Sequence, residues 1–119
     1  MRIKSSLTLS KSSSLFAILI AMFVANTSIN EANAFTADEV LNKMNADQRI
    51  SYVNGVVGGL AYARWLKDKP DQSGMQCINT WRYSNATQTW KRITAFMELH
   101  LDKPVPALIH VLAKKECGS

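Results

Sequence analysis

The first 34 residues limit everything after them, because they have the layout of a segment removed on export. Arg2, Lys4 and Lys11 make a basic leader, and Leu15 to Ala25 is an uncharged apolar run of 11 residues. A polar stretch follows and ends in Ala32-Asn33-Ala34, the small-x-small pattern behind which a signal peptidase cuts. An apolar core of that length is roughly half of what a membrane-crossing helix needs. The reading is a secretory signal over 1–34, cut after Ala34, and a mature domain over 35–119 of 85 residues, released outside the cytoplasm.

A domain of that size has a small core and gains from a covalent staple. The mature part holds two cysteines, Cys77 and Cys117, and in an exported chain two cysteines are expected to pair as a disulfide. The closed loop of 41 residues is worth about 4 kcal/mol in the chain-entropy description. Neither cysteine is in Cys-x-x-Cys spacing or beside a histidine, so a structural bridge is expected and no redox or metal role.

Removing the leader also changes the charge. The chain has 14 Lys+Arg and 9 Asp+Glu, three bases and one acid of which lie before residue 35, so the mature part is net +3. Its charges are interspersed, with no clustered patch of the kind that marks a nucleic-acid partner. The whole-chain isoelectric point of 9.4 belongs in part to the leader.

Past the leader the pattern is helical throughout, and an all-α, four-helix bundle-like domain is expected. Thr36 and Glu39 form a capping box before a short helix carrying Val40, Leu41 and Met44. Asn45 and Gln48 repeat the device and open a long helix to about Lys67. Asp68 to Gly74 is dense in turn formers and reads as a loop. Asn85 and Gln88 signal another helix, running to about Asp102. Lys103-Pro104 breaks it, and Pro106 suits the first turn of a last helix that closes on Lys114 and Lys115.

The long helix has the most specific pattern. Ile50, Val53, Val57 and Leu60 share one side, while Tyr52, Gly55, Gly59, Tyr62 and Leu66 recur at 3-4-3-4 spacing on another. Glycine costs a helix about 1 kcal/mol relative to alanine. Gly55, Gly58 and Gly59 therefore need a reason, and close backbone approach by a packed neighbour is the expected one. The uncharged run from Ile50 to Ala63 is 14 residues, too short to span a bilayer.

Nothing in the residues points to catalysis, a cofactor or a metal. The mature serines lie outside any nucleophile-elbow context, and no glycine-rich loop follows a strand. His100 sits at the edge of an apolar arc and reads as a packing residue; His110 falls opposite Leu108, Val111 and Leu112 and reads as exposed. What remains is recognition. Trp81, Arg82 and Tyr83 are the residue types most enriched at binding hot spots, and the nearby cysteine tethers them. They are the candidate partner-binding residues.

The leader, the Tyr52-x-x-Gly55-x-x-x-Gly59 helix, Cys77, the amphipathic Trp90 to Leu101 helix with a proline soon after, and the helix closing on Cys117 together resemble the Rap/Tai-type immunity proteins. The resemblance spans about Asp47 to Cys117. It implies a small periplasmic all-helical protein that binds and inhibits a type VI secretion peptidoglycan amidase or related toxin. It also implies a structural role for Cys77 and Cys117, and a capacity to form homodimers. The alternative from another class is an HdeA-like periplasmic acid-stress chaperone, also helical with one disulfide.

Overall fold

Two capping boxes set the start of the fold. Thr36 Oγ1 accepts from the Glu39 N–H at 3.3 Å, and Glu39 Oε2 accepts from the Thr36 N–H at 2.8 Å. These bonds satisfy donors that a helix start leaves free, and α1 runs Ala37–Lys43. Asn45 and Gln48 make the same exchange at 2.9 and 3.1 Å and open α2, Ala46–Asp68. Between the two helices, the Arg49 guanidinium donates to the carbonyls of Val40, Leu41 and Met44 at 3.2, 2.9 and 3.3 Å. A cation at the carbonyl end of α1 complements its dipole and fixes the angle at which α1 meets α2.

The computed structural model describes residues 33–119. The leader expected over 1–34 lies outside the described residues except for Asn33 and Ala34. The described chain is all-helical with one disulfide, and three further helices follow: α3 Ser73–Tyr83, α4 Ala86–Leu99 and α5 Val105–Cys117. The helical class is as expected, with one helix more than the four foreseen. The extra element is α3. The turn formers of 68–74 end sooner than their composition implies, because Asp71 Oδ1 accepts from the Ser73 N–H at 2.9 Å and turns the chain straight into a helix. That bond also holds the Asp71 carboxyl below its usual range. The segment Cys77 to Tyr83, expected between helices, is therefore the body of α3.

Helix α4 starts behind Asn85 as expected, but its start is held differently and its end lies earlier. Asn85 makes no side-chain cap; the corner before α4 is held instead by Thr89, whose hydroxyl donates to the Trp81 carbonyl at 2.8 Å. Helix α4 stops at Leu99 rather than near Asp102, because the following linker pairs with the N-terminal segment. Ala37 and Asp38 donate to the Lys103 and Leu101 carbonyls at 2.9 and 3.0 Å, and Val105 donates to Phe35 O at 2.9 Å. A single antiparallel bridge joins Thr36 and Pro104.

Every helix contributes to one core. Val40, Val53, Ile93, Met97 and Ile109 are fully buried, and Ile78 of α3 is nearly so. On α2 the expected inner side holds for Val53 and Val57, joined by Ala61; Leu60 is half-buried, and Ile50 faces solvent. Cys77 of α3 is bridged to Cys117 of α5 with Cα atoms 5.8 Å apart, which clamps the last helix against the middle of the fold. Among the described residues no helix is long and apolar enough to cross a membrane.

Candidate partner-binding surface

The three residues expected to present themselves to a partner have three different fates. Helical phase decides, since consecutive positions on α3 point about 100° apart. Arg82 turns inward and is only 5% exposed. Its Nε donates to Asn54 Oδ1 at 3.0 Å and its Nη1 to the Ala86 carbonyl at a longer 3.5 Å. The Tyr83 and Trp90 rings lie 5.2 and 5.5 Å from the guanidinium carbon, close enough for cation–π attraction. No carboxylate among the described residues pairs with it. The charge is held by neutral oxygens and ring faces, so Arg82 ties α3 to α2 and to the start of α4. As a solvent-facing anchor it is corrected to a packing residue.

Trp81 is half-buried and Tyr83 remains exposed. Trp81 lines a polar groove of about 310 Å³ with Asn85, Gln88, Arg92 and Glu116. That groove and the Tyr83 ring are what the corner offers to another molecule.

The glycine face of α2 is also corrected. Gly55, Gly58 and Gly59 are exposed, and a Cβ built on any of them meets nothing within 4 Å. Among the described residues no neighbour approaches them. Tyr62, placed with them on the wheel, is 58% exposed, and its ring packs only along the helix on Trp65 at 5.7 Å. Tyr52 does pack: its ring meets Phe35 edge-on at 5.4 Å, and burial pushes its phenol above the ordinary value. Phe35 precedes α1, so Tyr52 fastens the N-terminal segment and makes no close helix crossing.

The outer face of α2 is consequently an open strip. Ser51, Gly55, Gly58, Gly59, Tyr62 and Leu66 are all exposed, and none is charged. Gly55, Gly59, Tyr62 and Leu66 of this strip were visible as a row in the sequence, but the direction in which it points was not. Tyr52 of that row packs, while Ser51 and Gly58 join the strip. Sequence reasoning missed a second feature, the glycine that does meet a neighbour. Gly74 is buried, and a Cβ there would lie 2.5 Å from Arg64 Nε and 2.8 Å from its Cγ. Its only signal is a lone glycine in the first turn of a helix.

His100 packs edge-on against Phe96 at 4.7 Å, and His110 is exposed. Among the described residues no three His, Cys, Asp or Glu side chains group as metal ligands would. The arrangement is a disulfide-clamped helical domain whose most distinctive surface is an uncharged helix face. Comparison with protein-family models, with curated proteins and with solved structures gave no match for this chain.

Proposed function

We propose that this is an exported protein that acts by protein contact, an immunity protein that binds and inhibits a secreted peptidoglycan amidase or related toxin delivered by type VI secretion. Two surfaces carry the contact reading: the Trp81 groove with the exposed Tyr83 ring beside it, and the outer face of α2. An uncharged strip with Tyr62 at 58% and Leu66 at 43% exposure is the kind of surface small proteins keep for partners. The compartment rests on the leader, with which the Cys77–Cys117 bridge is in keeping, since disulfides persist in oxidising surroundings such as the periplasm. The class of target rests on the resemblance described above.

The spacing of the strip favours a second copy of the chain as its occupant. Its positions are symmetric about the midpoint between Gly58 and Gly59. An antiparallel pair of α2 helices crossing there sets Tyr62 of one copy on Gly55 of the other, and Leu66 on Ser51. Large side chains meet small ones on both sides of a two-fold axis, the self-complementarity an isologous interface requires. The basic end of the helix, Lys69, then lies over Gln48 beside the acidic Asp47 of the other copy. With α2 so paired, the toxin would meet the Trp81 groove and Tyr83.

The test is affinity capture from envelope and secreted proteins with the disulfide-intact protein, bound species being identified by mass. We expect one dominant peptidoglycan hydrolase, bound stoichiometrically and inhibited at neutral pH. Capture of many unrelated clients in acid alone would overturn this reading in favour of the acid-stress chaperone.

A further inference from the structure

Along the C-terminal half of α2, a cleft of about 300 Å³ opens between α2 and α5, at the lower end of the range that holds small molecules. Its floor is apolar: Leu60 and Ala63 of α2, Ile78 of α3 and Ala113 of α5. Its walls are fastened together, since Ile78 and Gly118 each adjoin a half of the Cys77–Cys117 bridge. Around this floor stand Arg64, Lys67 and Lys114.

Arg64 is held in place. Its stem lies against Gly74, where a Cβ would meet it at 2.5–2.8 Å. Its Nε donates to Asp68, and its Nη1 donates to the Gly118 carbonyl at 3.0 Å. Nη2 has no partner among the described residues. Asp68 is the carboxylate that answers Arg64, while Lys67 and Lys114 have no ion-pair partner among the described residues. The rim thus sets the three cations Arg64, Lys67 and Lys114 against the Asp68 carboxylate and the carboxyl group of Ser119, over an apolar floor with one guanidinium already oriented. That combination selects an anion with an apolar tail, the head at the cations and the tail on Leu60, Ile78 and Ala113.

We propose that this cleft binds a small organic anion, a carboxylate or phosphate monoester carrying a short alkyl chain. The experiment is titration of the disulfide-intact, isotope-labelled protein with octanoate and with octyl phosphate, followed by amide and methyl chemical shifts. Acetate, inorganic phosphate and octyltrimethylammonium serve as comparisons. Saturable shifts at Ala63, Ile78 and Ala113 are expected with the two tailed anions, at least roughly tenfold stronger than with the tailless ones. The relative strength of octanoate and octyl phosphate identifies the preferred head. Lys67→Glu with Lys114→Glu, both at exposed positions, weakens binding about tenfold or more. Ala63→Trp, which fills the cleft from an exposed site, abolishes it. Equal binding of the cationic detergent, no loss in the charge-reversed variant, or no saturable shift with either tailed anion overturns the proposal. None of these outcomes bears on toxin capture, which involves a different surface.

Discussion

Along the outer face of α2, three glycines and a tyrosine are exposed, and no other helix among the described residues packs on the glycines. At the corner between α3 and α4, a full positive charge sits 5% exposed. The two regions invert the usual placement of apolar and charged groups, for local reasons. Arg82 is buried because Asn54, the Ala86 carbonyl and two aromatic faces satisfy its guanidinium as it leaves water. The α2 strip is open because the core is built on the other side of that helix, from Val53, Val57 and Ala61 with Tyr52, Val56 and Leu60 packed against them. Polarity says what a side chain costs to bury; the phase of its helix against its neighbours says whether it is buried.

The sharpest way to break this contrast is to release the helix that carries the corner. Cys77→Ser with Cys117→Ser should lower stability by about 4 kcal/mol, read from urea unfolding. Hydrogen exchange should loosen α3 and α5 more than α2. A loss spread evenly over all five helices would mean that the corner and the α2 face belong to one cooperative unit.

Next in size is Arg82. Truncation to alanine removes two hydrogen bonds and two ring contacts and should cost roughly 2–3 kcal/mol. Arg82→Met, which keeps the stem and removes the charge, should cost less. A partner-facing arginine behaves otherwise, losing binding with unchanged thermal stability, so unfolding and binding curves of the two variants separate the roles.

The smallest effect has the opposite sign. Gly55→Ala and Gly59→Ala add a Cβ into open space and should each stabilise the isolated chain by up to about 1 kcal/mol. In the paired form the same methyl groups keep the two α2 helices apart. Sedimentation should show the wild-type chain as a dimer and the doubly substituted chain shifted toward monomer. Stabilisation with no change in association would remove the second copy from the account of this face.

Much of the backbone was legible in advance. Thr36 with Glu39 and Asn45 with Gln48 announced α1 and α2, since a capping box is a local contact written in four consecutive residues. The same logic placed the start of α4 behind Asn85, although Thr89 reaching back to Trp81 O, and no side-chain cap, holds that corner. It failed at the end of α4, where backbone bonds to Phe35–Asp38 outbid another helical turn. Helix α3 was hidden because turn formers precede it and its stabilising contacts come from distant positions, among them Asn54 and Cys117.

The candidate surface was legible in its residue types and not in its direction. Gly55, Gly59, Tyr62 and Leu66 were visible with Tyr52 as one row on α2, Trp81, Arg82 and Tyr83 as one aromatic and basic run. Helix type, the cysteine pairing and the repeat on α2 are properties of short range or of simple counting, and the chain determines them by itself. Which side of α2 stays open, that Arg82 turns inward, and that Arg64 lies over Gly74 beside a cleft were decided only when the helices packed. Each depends on groups far apart in the sequence whose mutual fit no local pattern encodes.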